Sequence, residues 1–522
     1  VSETSPYATA LALGRPRPSY IKNTEDADRV TAYWTYDDIY NNIAEAFAAL
    51  LRADDDPKSR RYIPFGRALV EATNRYLAKD LTWTASVPAT SPTVNPEVIV
   101  EVMDWLDAQF KREEFNSKFM ESKRVMLRRG DALLQISADP SKAEGTRLRI
   151  TQLDAAQYFP ISDAVDAERT VGAYVITLLT SADAQTTVAR REEYWRVLNQ
   201  EQAAALSTPI GQVFYRVTYW EQDGWDDRFP LTVADLKPAP SPDWIVETPV
   251  AALAAVGYPL PAQIQAIPLY HFQNTRTDRF GYSMLQGIET ILAGITQNMS
   301  DEDMTVALTG LGVYWTDSGS PRDAQGNETE WVIAPASVME LSAGKKFGRV
   351  DGVTTIQPML DHVHELGSLA QQTSGTPDIA VGEVDVQVAQ SGIALAIKMA
   401  PVIAGNKERE VGLKGTLDQF MNDLLNGWAP AYEGRQATGV VVSAAFGDAL
   451  PLDREAVIAE MKTLVEAQVI DPEYARQYLS EKLGFQFPED LGTRMAAAQT
   501  AALDAGAARL AADANVGQEG AL

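Results

Sequence analysis

The sequence predicts an α+β chain in which helices and strands occupy largely separate stretches. Three observations carry this. Apolar residues recur every three to five positions from Ala32 to Leu51 and again from Met284 onward. Between Asp131 and Glu221 the period drops to two, in runs rich in Tyr, Trp, Val and Thr. Short links join those runs, which predicts an antiparallel meander on a helical N-terminal layer.

The elements follow in order. Trp34, Ile39, Ile43, Phe47 and Leu50 form the first helical face, and Asp54-Asp55-Asp56-Pro57-Lys58 reads as a solvated turn rather than a metal site. Ile63 to Leu81 is again helical in spacing. Asn95-Pro96-Glu97 combines a capping side chain, a proline at the first helical position and an acid in the first turn, ahead of Val98, Val102, Trp105 and Leu106. From about Arg124 the pattern turns strand-like. Strands are expected at Asp131–Ser137, Arg147–Leu153, Val171–Thr180, Val188–Leu198 and Gln212–Glu221. Pro238, Pro240, Pro242 and Pro249 mark a long connection.

A strand from Ile267 to Phe272 and a polar turn, Gln273–Arg279, lead to a helix whose apolar residues are Met284, Ile288, Ile291, Ile295 and Met299. Thr309–Val353 is Gly-rich and strand-like. A helix over Met359–Gln372 is broken by Ser374-Gly375-Thr376-Pro377, and Asp378–Gln390 reads as a loop of valines, acids and glutamines. The long helix from Ile393 to about Trp428 carries Pro401, which should kink it. Val440–Phe446 is a strand. Asp453 caps one late helix, Asp471-Pro472-Glu473 opens another, and Ala496–Ala512 is Ala-rich.

Composition excludes several functions. At roughly 150 residues per domain, 522 residues suggest three or four units. No apolar run reaches the roughly 18 residues of a membrane span. Val1–Gly14 lacks a basic region before an apolar core, so no secretory signal is expected. The absence of cysteine excludes disulfides, thiolate zinc sites and iron–sulfur centres. A net charge of −26 argues against a general phosphate-binding surface.

Enzymatic constellations are also missing. Gly344-Lys345-Lys346 has Met339 where a phosphate loop needs its first glycine, and Gly310-Leu311-Gly312 runs on into Val-Tyr-Trp. No G-x-S-x-G elbow occurs. His362 and His364, two apart on a predicted helix, diverge by about 200° and cannot share a metal. His271 reads as a core or interface histidine. Asp301-Glu302-Asp303 gains no partner in a clear pattern, and Pro242-Asp243 with Glu247 has Pro249 where a nuclease core needs lysine. The expectation is a non-enzymatic protein with no catalytic residue, cofactor or metal.

The order of several stretches resembles the portal proteins of tailed double-stranded-DNA bacteriophages. These are "YIPFGRALVEATNRYLAKDLTW" (Tyr62–Trp83), "LDAAQYFPISD" (Leu153–Asp163), "IPLYHFQNTRTDRFGYSMLQGIETILAGITQNMSD" (Ile267–Asp301), "SGTPDIAVGEVDVQVAQSGIALAIKMAPV" (Ser374–Val402) and "YLSEKLGF" (Tyr478–Phe485). The third is similar to the family's strand, Phe-Gly-x-Ser turn and stem-helix start, and the fourth to its tunnel loop and channel helix. Thr309–Val353 and the last 30 residues match in position only.

The resemblance implies a portal-type fold: an α/β wing over 1–280, with N-terminal helices and then a β-rich block; stem helices over 281–304 and 358–374; and a small β-containing clip over 305–357. It further implies a tunnel loop over 375–390, a kinked channel helix and wing strand over 391–450, and a helical crown over 451–522. It implies a homo-oligomeric ring, a dodecamer, at the capsid vertex of a virion, assembled in host cytoplasm. Double-stranded DNA would pass through it without sequence specificity in packaging and ejection. Terminase, a head–tail adaptor, and the major capsid and scaffolding proteins would be its protein partners, with no membrane. A different ring-forming virion protein, an adaptor or baseplate component, is the alternative.

Residue assignments follow from that reading. Asp378, Glu383, Asp385, Gln387 and Gln390 would line the DNA channel; Ile288, Ile291, Ile295 and Met299 would meet a neighbouring subunit; Trp315 and Trp331 would anchor the adaptor, since tryptophan is enriched at binding hot spots. Residues 281–304 and 358–390 hold nine acids and no Lys or Arg, where an even spread of the 45 basic residues would place about five. A lumen that repels phosphate would have that composition.

Overall fold

A capping asparagine starts the N-terminal layer. The computed structural model describes residues 6–18, 21, 23–43, 47, 63–87, 96–163, 166, 169–180, 187–221, 258–275, 279–311, 313–320, 325–328, 344–350, 356–381, 392–435, 439–448, 454–483 and 494. After α1 (Ala8–Ala12), α2 (Thr24–Tyr40) begins where the Asn23 side chain accepts from the Glu25 amide at 2.9 Å. This helix starts at Thr24 rather than Ala32 and ends at Tyr40, where Asn42 turns left-handed (φ 59°). Next, α3 (Phe65–Tyr76) is shorter than the expected Ile63–Leu81. Leu77 is extended, and Ala78 and Asp80 are left-handed (φ 47° and 49°). These turns lead directly into β1 (Thr82–Ser86).

The pair α4 (Pro96–Glu113) and α5 (Phe115–Arg129) is separated by left-handed Glu114 and closed by Gly130 (φ 102°). Strand periodicity therefore begins at Asp131, not Arg124. The strands are β2 (Asp131–Ala138), β3 (Leu148–Leu153), β4 (Tyr158–Ser162), β5 (Thr170–Thr180) and β6 (Thr187–Arg196). Helix α6 (Gln200–Leu206) precedes β7 (Val213–Glu221), β8 (Tyr258–Pro259) and β9 (Leu269–Gln273). One antiparallel sheet runs β4-β5-β6-β7-β8; β5, β6 and β7 are the later three strands of the expected meander, whereas its first two, β2 and β3, lie in another sheet. In a second sheet, β2 lies between β3 and β9, with Leu133 opposite His271.

Strand β2 is buried on both faces, so its apolar residues serve two clusters. Ala132, Leu134 and Ile136 join the main core with Phe115 and Phe119 of α5, whereas Leu133 joins Tyr158, Val175 and Tyr194 of the larger sheet.

Helix α7 (Glu289–Leu311) leads to the hairpin β10 (Val313–Thr316) and β11 (Phe347–Val350), and α8 (Gln357–Ser374) packs back against α7. A short α9 (Asp378–Val381) opens the stretch expected to be loop. Helix α10 (Gly392–Asp423) contains Pro401 and passes through a π turn, Leu424–Trp428, into α11 (Ala429–Tyr432). Strand β12 (Val441–Ala445) then pairs with β1, Thr82 opposite Ala445.

Phe115 stacks on Phe110 at 4.6 Å and on Phe420 of α10 at 5.6 Å, and Tyr270 of β9 meets Phe420 edge-on at 5.0 Å. Each such aromatic buried contributes about 1.5–3 kcal/mol, so α10 is joined to the N-terminal helices through one core. The chain forms two compact units, Val1–Ala449 and Leu450–Leu522, fewer than length alone suggests. In the second, α12 (Arg454–Glu466) and α13 (Pro472–Leu483) pack together.

Candidate functional site

The Phe280-Gly281-Tyr282-Ser283 turn seats α7 on the end of α5. A helix leaves its last carbonyls without intrahelical donors. Here the Met284 amide donates to Leu127 O at 2.9 Å, Ser283 Oγ donates to Arg128 O, and the Asn274 amide donates to Gly130 O at 2.8 Å. The Gly281 amide donates to Asp131 Oδ1 at 2.8 Å. Gly130 and Gly281 approach so closely that a Cβ on either would press into the other's backbone. The turn is thus a docking device for the helix that follows.

Helix α7 begins at Glu289 rather than near 281, because residues 284–288 are turns and Gly287 is left-handed (φ 88°). It continues to Leu311, beyond the expected limit at 304. Glu289 is 1% exposed and accepts from the Gly287 amide at 2.7 Å and Tyr36 Oη at 3.3 Å. Burial pushes its carboxyl above the usual range, while the amides of Glu289 and Gly287 and the Tyr36 hydroxyl pull it back. One of the nine acids of 281–304 and 358–390 is therefore internal to this chain.

The four residues expected at a subunit contact lie on this chain's own core. Ile288 is fully buried and Ile295 nearly so; Ile291 and Met299 are partly buried against the same cluster. Ile288 and Ile295 share one buried cluster with Ile39 of α2 and Leu69 of α3, so their burial needs no second copy. Among the described residues, the exposed large apolar side chains on α7 and α8 are Met304, Val306 and Leu369.

Asp301 and Glu302 are half-buried, and Asp303, Asp361, Glu365 and Asp378 are exposed. Asp301 accepts from Gln297 Nε2 at 2.9 Å. At the end of α8, Gly375 is left-handed (φ 68°), and the Thr376 amide closes the turn on Gln371 O at 2.9 Å. Thr376 is wholly buried, its Oγ1 3.2 Å from Thr73 Oγ1. This anchor places Asp378 on α9, in a short helix rather than a loop. Glu383, Asp385, Gln387 and Gln390 lie outside the described residues.

On the hairpin, Trp315 stands opposite Gly348 and lies over it, yet remains 46% exposed. Trp331 lies outside the described residues, as do Pro242, Asp243 and Glu247. His362 is exposed, 3.9 Å from Glu365. His271 is a half-buried histidine of β9, its Nε2 2.6 Å from Asp131 Oδ1. No motif or spacing foretells that Asp131 gathers Tyr33, His271 and Gly281. Among the described residues no three His, Asp or Glu side chains could hold a metal. None of the described helices is long and apolar enough to cross a membrane.

No family model matches the chain, and no curated protein matches it. Among solved structures, it is similar to a chain from the "Neck of native GTA particle computed with C12 symmetry", with 12% identity and a TM-score of 0.40, over 91% of this chain and 98% of that one. It is also similar to a chain from the "Virion of native gene transfer agent (GTA) particle", with 11% identity and a TM-score of 0.40, over 93% and 100%. A likeness at that level carries no argument about this chain.

Proposed function

We propose that the chain is a subunit of a portal-type ring in a tailed-phage-like virion, through which double-stranded DNA passes without sequence-specific contact. The observation that carries this is the excursion α7–β10–β11–α8 followed by a buried turn at Thr376 and a 32-residue helix, α10. That order of parts is what the sequence resemblance implies for stem, clip, stem, tunnel loop and channel helix. The absence of Lys and Arg from 281–304 and 358–390 supports it. A duplex surrounded by cations is held by counterion release, whereas one surrounded by acids and amides is free to slide.

In this reading Asp378, Glu383, Asp385, Gln387 and Gln390 face the duplex, Trp315 and Trp331 meet the adaptor, and terminase docks during packaging. Major capsid and scaffolding proteins surround the ring in the capsid. The protein acts by geometry and charge and hydrolyses nothing. Negative-stain microscopy of the purified protein tests it: particles with a central hole and about twelve-fold symmetry are expected. A monodisperse monomer at micromolar concentration would overturn the reading.

A further inference from the structure

A cleft of about 360 Å³ lies where β4–β6, β9 and α10 meet. Arg196 at the end of β6, Arg279 and His271 line it, with the hydroxyls of Ser162, Thr170 and Thr416. None of its described lining residues is Asp or Glu, in a chain with 71 acids against 45 bases.

Arg196 differs from the other half-buried or buried arginines of this unit. Arg124 pairs with Glu71, Arg129 with Asp37 and Asp154, Arg190 with Glu192, and Arg216 with Glu193. Arg196 is half-buried and makes no hydrogen bond or ion pair with any described residue. Its Nη2 lies over Gly211, 3.6 Å from where a Cβ would stand. Arg279 donates to Pro160 O and has further N–H groups to offer. His271 is fixed by Asp131 through Nε2 and set edge-on to Tyr158 at 5.3 Å. The cleft lining thus offers two guanidinium groups and the hydroxyls of Ser162, Thr170 and Thr416, the last of which donates to His271 O at 3.3 Å.

We infer that this cleft binds a small phosphate-bearing molecule, its phosphate between Arg196 and Arg279. Guanidinium forks suit phosphate oxygens, and a tetrahedral dianion uses donors from several directions at once. The volume falls at the low end of small-molecule sites and exceeds what an inorganic ion fills. Ile267 and Leu269, also in the lining, provide an apolar wall for the organic part. The inference is independent of the ring reading.

Calorimetric titration of the full chain, in whatever assembly it forms, tests this with inorganic phosphate, ribose 5-phosphate and citrate at ionic strength held constant with chloride. Saturable binding of both phosphates is expected, tighter for the ester, and at least roughly tenfold weaker in Arg196→Gln. Since Arg196 holds no other described residue, the variant's melting temperature without ligand should match the parent. No saturable phosphate binding, or equal affinity in Arg196→Gln, overturns the inference. Binding of citrate alone overturns the phosphate assignment.

Discussion

Asp131 accepts from His271 across the β2–β9 pair, Nε2 to Oδ1 at 2.6 Å, and in doing so joins two strands to a helix and a turn. The same carboxylate accepts from the Tyr33 hydroxyl of α2 and from the Gly281 amide at 2.8 Å. It is 1% exposed. Removing a buried acceptor strands each donor at about 1–3 kcal/mol. Asp131→Ala should therefore lower stability by about 3–5 kcal/mol, and Tyr33→Phe by about 1–2 kcal/mol. Urea unfolding checks both; a loss for Asp131→Ala no larger than for Tyr33→Phe would show that the carboxylate is not the hub.

The Gly130–Gly281 contact gives a second expectation. At Gly281 a Cβ would meet Gly130 O and stand 2.8 Å from the Asn274 amide. Those atoms are backbone held by the α5 terminus, so they cannot rotate away. Gly281→Ala should cost several kcal/mol, more than Gly→Ala at Gly415 of α10, where a Cβ meets nothing within 4 Å and helix propensity favours alanine by about 1 kcal/mol. Thermal melting of the two variants should show opposite signs of change.

These two relationships bear on what a sequence can disclose. The meander was legible because β5, β6 and β7 alternate and carry β-branched and aromatic residues. The start of α2 was not: Asp28, Arg29, Thr31 and Thr35 are buried there, with Arg29 donating to Tyr158 O at 2.9 Å and stacked 4.1 Å from Phe280. Apolar spacing cannot register a face buried through polar partners. Nor could it register β1, whose partner β12 lies more than 350 residues away. Phe280 to Ser283 stood out only as a turn before a helix, and its physical task depends on where α5 ends. The Ile288–Met299 stripe shows the limit most clearly. An amphipathic pattern says that a face is covered, not whether the cover is this chain or the next.

Lys123 offers a pH test. It is 2% exposed, donates to Leu77 O at 2.6 Å, and is pushed down to about 8 from 10.5 by burial, with Glu410 opposing and Arg124 adding to the fall. Below pH 8 the folded and unfolded chains are both protonated, and the folded state carries the full cost, about 3 kcal/mol. Between pH 8 and 10.5 the unfolded chain binds the extra proton, so stability rises with pH from this group. Lys123→Met should remove that rise. At pH 7 its gain should fall short of 3 kcal/mol, because Leu77 O loses its donor. Parallel unfolding curves at pH 7, 8 and 9 for parent and variant would contradict the assignment.

The exposed residues of α7 and α8 bear on assembly. Met304 is 58% exposed, and Val306 and Leu369 are also open to solvent. If a ring forms, a neighbouring copy is the natural cover for this patch, since burying a Met-sized side chain gives about 1.5–3 kcal/mol and the contact repeats at every interface. Met304→Asp should deplete rings in mass photometry while circular dichroism stays unchanged. Ile288→Asp, in contrast, should lose helix signal, because it places a charge in this chain's own core. Intact rings in Met304→Asp would move the contact elsewhere.

The charge of the channel segment gives the last expectation, which rests on the proposed function. From 375 to 390 the chain carries Asp378, Glu383 and Asp385 with no cation, beside Gln387 and Gln390. Asp378 is exposed on α9, just beyond the anchored Thr376. Repeated around a ring, three acids per copy form a collar of like charge about the duplex. Weak repulsion leaves DNA free to move, whereas a lysine collar binds phosphate by releasing counterions, with affinity falling steeply as salt rises. The purified ring should therefore bind duplex DNA poorly at moderate salt. Glu383→Lys with Asp385→Lys should make it bind, and the logarithm of affinity should fall linearly with the logarithm of salt. Assembly should survive the change, and packaging should slow or stall because each phosphate would be held in passing. A variant ring with no gain in DNA binding and a normal packaging rate would place these residues away from the duplex. A gain in binding without a salt slope would mean that contacts other than charge had been created.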